Sequence, residues 1–278
     1  MVIKDIDIEH FKEYLIEEEK NVSTIKKYLS DINEFLNWKN EENITKKHLL
    51  EYKCHLKEKC LAPTTINSKL SSLNSLFKFL GHLDYCIKFL KIQQKIFRDE
   101  NKELTKEEYE KLVKTAYSLN NERLALIIQT ICATGIRISE LKYITVESIK
   151  NGKADIQMKG KNRIILITKS LRKKLTKYYK EKNISFGEIF LTKNGTSLDR
   201  RQIWREMKQL CQKSNVEQTK VFPHNLRHLF ATTFYKQTKD IVKLSDVLGH
   251  TSINTTRIYL ISTGKEHLNE LERLRLVF

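Results

Sequence analysis

In 278 residues the chain sets 51 Lys and Arg against 34 Asp and Glu, a net charge of +17, with 40% of its residues hydrophobic. No apolar run approaches the roughly 18 to 20 residues that span a bilayer, and the opening MVIKDIDIEHF carries acids where an export signal carries a basic patch and an apolar stretch. These features argue against a membrane span and against export, and lead to the expectation of a soluble, cytoplasmic protein of two domains.

Helical spacing dominates the first 95 residues. Ile8, Phe11, Tyr14 and Leu15 mark one helix; Ile25, Tyr28, Leu29, Ile32, Phe35 and Leu36 form the stripe of a second that starts at Ser23; Thr45 to Leu56 and Pro63 to Leu80 follow. Pro63 falls at a helix start, where its missing N–H costs little, and Gly81 ends that helix. Ile66, Leu70, Leu73, Leu76, Phe77 and Leu80 read as core, which leaves Asn67, Ser68, Lys69, Ser71 and Ser72 as an outward, DNA-facing candidate side.

Between about 91 and 104 the periodicity is lost, as in an extended linker. Thr105-Lys-Glu-Glu108 is a capping box that launches a helix to about Ser118, and an apolar helix over Arg123 to Ala133 breaks at Gly135. ADIQMK and RIILIT, rich in β-branched residues and separated by the turn-like Gly160-Lys-Asn162, predict a β-hairpin. Helices are predicted at about 170–182, 199–214, 225–237, 240–248, 252–261 and 265–275. The fold class is therefore mostly α with a small β-hairpin in the second domain.

Charge is unevenly spread. Residues 1–95 hold 16 Lys against 14 acids, whereas the rest of the chain carries 35 basic and 20 acidic residues, a net +15. Residues 153–182 alone have 11 basic side chains against Asp155 and Glu181. Such a field favours a polyanionic partner, nucleic acid before a membrane surface. Cys54, Cys60, Cys86, Cys132 and Cys211 are scattered and odd in number with no C-x-x-C pair, so idle thiols explain them better than disulfides or zinc.

Four stretches carry the chemistry: ATGIRISEL (133–141), MKGKNR (158–163), PHNLRHLFATTF (223–234) and LGHTSINTTRIYL (248–260). The histidines of H-N-L-R-H share the i, i+4 spacing of helical zinc proteases, but Asn225 stands where a general-base Glu would be needed, and Arg227 between the ligands would repel a metal. Arginines grip phosphate oxygens bidentately and histidines move protons, so Arg137, Arg227, His224 and His250 suit a phosphodiester whose attacker would be Tyr259. A free phenol is hardly ionised at pH 7; the activation costs about 4 kcal/mol, within reach of a preorganised cationic pocket.

In that order these boxes resemble the signature of the tyrosine recombinase (phage integrase) family, over about 105–262, with Arg227 to His250 at 23 residues and His250 to Tyr259 at nine. The resemblance implies a two-domain DNA clamp: a helical, SAM-like core-binding domain over 1–94, a linker over 95–104, and a catalytic domain over 105–278 ending in an oligomerisation helix. It implies that Arg137 and Arg227 bind the scissile phosphate, that His224 and His250 support proton transfer and phosphate binding, and that Tyr259 forms a 3′-phosphotyrosyl link. The hairpin lysine that protonates the leaving 5′-oxygen falls on Lys159, with Lys161 as its rival because the turn is about one residue shorter than the usual pattern.

The expected reaction is two transesterifications without ATP, metal or other cofactor. The expected partners are double-stranded DNA with inverted-repeat sites and further copies of the chain, up to a tetramer joined through Leu268, Leu271, Leu274, Leu276 and Phe278. A second recombinase or an accessory protein is a further candidate. The chain resembles Xer-type enzymes or compact transposon and plasmid recombinases, acting in integration, excision or the resolution of DNA dimers. A type IB topoisomerase and a catalytically silent DNA-binding protein are the alternative readings.

Overall fold

The structure is a computed structural model and describes residues 2–39, 43–93, 102–158, 161–250, 252–259, 268 and 271–276. The chain forms two compact units, Met1–Gln94 and Lys95–Phe278. Among the described residues the protein is helical apart from a two-stranded antiparallel sheet, and no helix is long and apolar enough to cross a membrane.

The first unit contains α1 (Asp5–Glu17), α2 (Val22–Lys39), α3 (Lys46–Glu58) and α4 (Pro63–Phe79). Its core follows the stripes read from the sequence: Phe11, Leu15, Ile32, Phe35, Leu49, Leu56, Ile66, Leu70, Leu73, Leu76 and Phe77 are all buried. The polar side of α4, expected to face DNA, is in large part engaged within the unit. Ser72 is fully buried and donates to Asp31 at 2.7 Å. Lys69 pairs with Asp31 at 3.5 Å and also with Glu34. Ser72 and Lys69 are drawn inward because Asp31 on α2 is itself buried, and a buried carboxylate recruits the nearest donors.

Asn67 and Asn74, seven residues apart on α4, act as two backbone mimics. Asn67 accepts from Leu90 N at 2.7 Å and donates to Leu90 O at 2.9 Å. Asn74 makes the same reciprocal pair with Ile87, both bonds at 3.0 Å. An extended segment is thereby pinned along a helix as a neighbouring strand would pin it.

The second unit is built around α6 (Glu122–Thr134), whose residues Leu124 to Ile131 are all buried. Around it pack α5 (Lys106–Ser118), α8 (Lys169–Glu181), α9 (Arg200–Ser214) and α10 (Pro223–Thr238), with α11 (Ile241–Leu248) beside α10 and α12 (Ile253–Arg257) against α11. The Thr105 capping box opens α5, with Glu108 N on Thr105 Oγ1 at 3.2 Å and Thr105 N on Glu108 Oε2 at 2.9 Å. A short α7 (Val146–Asn151) and a 3₁₀ stretch at Ile138–Tyr143 lie in a region where the sequence shows no helical period; six residues are too few to display one.

The hairpin pairs β1 (Lys153–Met158) with β2 (Lys161–Leu166), Ile156 opposite Arg163. Its pleat turns Ala154, Ile156, Arg163 and Ile165 toward the core and leaves Ile164 and Leu166 exposed. Within the basic stretch 153–182, Arg172 donates to the carbonyls of Ile149 and Lys150, and Lys174 to Gln129 Oε1. Arg172 and Lys174 thus fasten elements within the unit.

The helix expected over 252–261 is shorter: α12 stops at Arg257, where the chain tightens and Tyr259 N bonds Thr256 O at 3.0 Å. Of the helix expected over 265–275, Leu268 and residues 271–273 are helical; residues 265–267, 269 and 270 lie outside the described set.

Replacing Asn67 or Asn74 by Leu should each cost about 1–2 kcal/mol, since two backbone partners lose their bonds. Urea unfolding of the full chain measures this, and an unchanged midpoint would refute the clasp.

Candidate active site

Two helix ends converge on one point. α6 and α11 both finish in a glycine of left-handed conformation, Gly135 and Gly249, each at φ 62°. A Cβ on Gly135 would lie 2.4 Å from the Phe230 ring, and one on Gly249 2.4 Å from Arg163 Cδ. Glycine is required by both the backbone and the space. The last carbonyls of a helix lack intrahelical partners and carry the negative end of its dipole. Here arginines take them.

Arg227, 2% exposed on α10, donates Nη1 to Gly135 O and Nη2 to Leu248 O at 2.8 Å, with Nη2 also 3.0 Å from His250 Nε2. Arg163 takes the neighbouring acceptors, Val247 O at 3.1 Å and Gly135 O at 3.5 Å. Between Arg163 and Arg137 lies the buried carboxylate of Glu140. Its Oε2 accepts from Arg163 Nη1 at 3.0 Å and from the Arg137 backbone N at 2.8 Å, and its Oε1 from Arg137 Nη1 at 2.9 Å. The Arg137 side chain is 41% exposed, so it offers an open guanidinium face at the rim.

The imidazoles sit in this cationic field. Desolvation lowers the pKa of His250 to about 4, with Arg227, Arg137 and Arg163 acting in the same sense. Since Arg227 can only donate, Nε2 of a neutral His250 accepts from it, and the proton resides on Nδ1, 2.9 Å from the buried Thr256 Oγ1. His224 is also held below the ordinary imidazole value, by desolvation and then by Arg227 and Arg137, although the residue is exposed. Burial lowers the Arg163 guanidinium to about 10 against the opposing pull of Glu140. Burial and then the charge of Arg137 move Arg227 in the same direction, against the support of the Tyr259 hydroxyl.

Tyr259 is 2% exposed and packs with Ala231, Leu244 and Leu248. Its ring stacks on His250 at 5.8 Å with 8° between planes, and stands 5.9 Å from His224 and 5.1 Å from His228. His228 Nε2 is in turn 3.8 Å from Glu103 Oε1. Among the described residues no cluster of three His, Cys, Asp or Glu could hold a metal.

Five of the six residues singled out in the sequence thus surround one point: Arg137, His224, Arg227, His250 and Tyr259. Lys159 lies outside the described residues, and of Lys161 the backbone alone is described, as the first residue of β2. Sequence reasoning passed over Glu140, Arg163, His228 and Thr256. Arg163 carried a usable signal, because the alternation of RIILI puts it on the same face as Ile165; an acid three residues after Arg137 was a second.

A helical domain built on a central buried helix, with paired helix ends gathering arginines, histidines and a tyrosine, defines a protein made to hold an anion beside a phenol. Residues 102–266 match the phage integrase family and residues 8–82 the phage integrase N-terminal SAM-like domain. Tyrosine recombinase XerA of Pyrococcus furiosus is 30% identical, across 97% of this chain and 94% of its own. Among solved structures, lambda integrase (75–356) as a dimer bound to a core site superposes with a TM-score of 0.74 at 17% identity, over 93% of this chain and 95% of that one. XerH bound to its difH substrate gives 0.71 at 21% identity, over 94% and 81%. The chain belongs to the phage integrase family, the tyrosine recombinases, which break and rejoin DNA.

Neutral folded histidines have a measurable consequence. Between pH 6.5 and about 4 the unfolded chain binds a proton at His250 that the folded site refuses, so stability contributed by this group is complete above pH 6.5 and lost as pH falls toward 4. The melting temperature of wild type should drop between pH 7 and 5 by more than that of His250→Asn; parallel profiles would contradict the assignment.

Proposed function

We propose that this protein is a site-specific recombinase that cleaves and rejoins double-stranded DNA through a 3′-phosphotyrosyl intermediate. The observation that carries it is the convergence of Arg137, His224, Arg227 and His250 on Tyr259. The full-length likeness to an enzyme named a tyrosine recombinase, and the fold shared with DNA-bound integrases, support it. The alternatives of a topoisomerase and a silent binder gain no support: a binder has no use for a tyrosine buried among histidines and arginines.

In this reading Arg137 and Arg227 hold the scissile phosphate, Arg137 with its exposed face and Arg227 with the donors its carbonyl partners leave free. An imidazole that is neutral in the free protein is able to accept a proton. A phosphate arriving among three guanidiniums adds negative charge beside His250 and His224, which raises their basicity just when Tyr259 must lose its proton. The tyrosine oxygen bonds to phosphorus, the bond to the 5′-oxygen breaks, and that oxygen leaves with a proton from the hairpin lysine, Lys159 in the first alignment and Lys161 in the second. The phosphodiester is exchanged for another of nearly equal energy, so a second 5′-hydroxyl reverses the step without ATP.

Exposed Leu268, Leu271, Leu274 and Leu276 support self-association, which we extend to a tetramer on paired inverted-repeat sites in the cytoplasm. A partner recombinase or accessory protein would act at the same assembly.

The decisive test uses a nicked duplex of the sequence recovered with the protein from its host DNA, followed by denaturing electrophoresis. Wild type should yield a covalent protein–DNA adduct, and Tyr259→Phe none; an adduct that survives the substitution, or no adduct from wild type, removes the reading. Lys159→Ala should slow cleavage by about 10²-fold or more yet spare a substrate with a 5′-bridging sulfur, whose leaving group needs no proton. Should Lys161→Ala show that pattern instead, the alignment of the hairpin shifts by two residues.

A further inference from the structure

Arg163 is a third guanidinium of the pocket, and no step above uses it. Its side chain is 8% exposed, and each of its three nitrogens has a protein partner: Nε on Val247 O, Nη1 on Glu140, Nη2 on Gly135 O. With Nε taken as well as both terminal nitrogens, it presents no clear edge to a phosphate, whereas Arg137 is exposed and the carbonyl partners of Arg227 take Nη1 and Nη2 alone. Arg163 is equally unsuited to be plain core filler, since burying a cation is costly unless its partners are specific.

Those partners belong to the phosphate arginines. Glu140 is shared with Arg137, Gly135 O with Arg227, and Val247 precedes Leu248, whose carbonyl Arg227 takes. Arg163 itself stands on β2, two residues after Lys161, and among the described core-facing side chains of the hairpin it is the one nearest the turn. The Gly249 backbone lies against its stem, where a Cβ would approach Cδ to 2.4 Å. One side chain therefore ties the hairpin stem to both arms of the pocket.

We propose that Arg163 is a positioning residue of strand cleavage: it locks the hairpin stem to the arginine pocket, so that the lysine of the turn meets the oxygen leaving the phosphate held there. The proposal rests on the recombinase reading. Fixing a stem two to four residues from the acid restricts where its ammonium can reach, and proton transfer demands hydrogen-bond contact with the leaving atom. Loss of Arg163 should then resemble loss of the general acid, not loss of a phosphate clamp.

The test measures single-turnover adduct formation by the full chain on two nicked duplexes that differ only in oxygen or sulfur at the 5′-bridging position. Arg163→Ala should slow cleavage of the oxygen substrate by about 10²-fold and approach the wild-type rate on sulfur, while Arg137→Ala stays slow on both. Arg163→Lys keeps a charge for Glu140 but cannot also reach the two carbonyls; it should show the same rescue, and it carries the test if the alanine variant fails to fold. Equal loss on both substrates by a variant with a wild-type melting temperature overturns the positioning role while leaving the recombinase reading intact. Absence of a wild-type adduct on either substrate overturns both.

Discussion

The pocket depends on pairing buried guanidinium groups with the carbonyl ends of helices. Arg227 and Arg163 are cations removed from water, and Glu140 supplies a carboxylate to the cluster. The remaining compensation comes from Gly135 O, Val247 O and Leu248 O, at the ends of α6 and α11, where the backbone has unsatisfied acceptors and partial negative charge. Two left-handed glycines allow both helices to end close enough to share the same side chains. The pocket is thus assembled from backbone dipoles, and its net charge stays positive.

That residual charge explains the state of the histidines. With three arginines near and few acids, protonating His250 would add a further cation to a desolvated site, so it stays neutral and takes one tautomer between Arg227 and Thr256. Tyr259, stacked on that ring and walled by Leu244 and Leu248, is held in its own chain's pocket. The arrangement suits a site that waits for an anion: positive potential draws a phosphate in, and the phosphate in turn changes what the imidazoles can do.

The first unit solves a different problem with similar means. Asp31 draws Ser72, Lys27 and Lys69 into a polar cluster across α2 and α4, and two asparagines grip the backbone of Ile87 and Leu90. Polar residues on the outer side of an amphipathic helix were therefore spent on internal order. A hydrophobic stripe specifies which face is buried, but it says nothing about which polar neighbours find partners within the fold.

The sequence by itself determined the helical stripes, the Thr105 cap, the hairpin, the glycine breaks and the identity of Arg137, His224, Arg227, His250 and Tyr259, because periodicity, capping and turn chemistry act over a few residues and the chemical boxes are contiguous. Tertiary structure alone decided that Glu140 serves two arginines, that Arg163 is bound by carbonyls 28 and 84 positions away along the chain, and that Arg172 and Lys174 bond to groups of their own unit. A charge run in sequence has no burial attached to it. Whether a lysine or arginine faces solvent, a carbonyl or a carboxylate is settled by packing between elements distant along the chain, and the desolvation that sets the histidine and arginine pKa values exists only after that packing is complete.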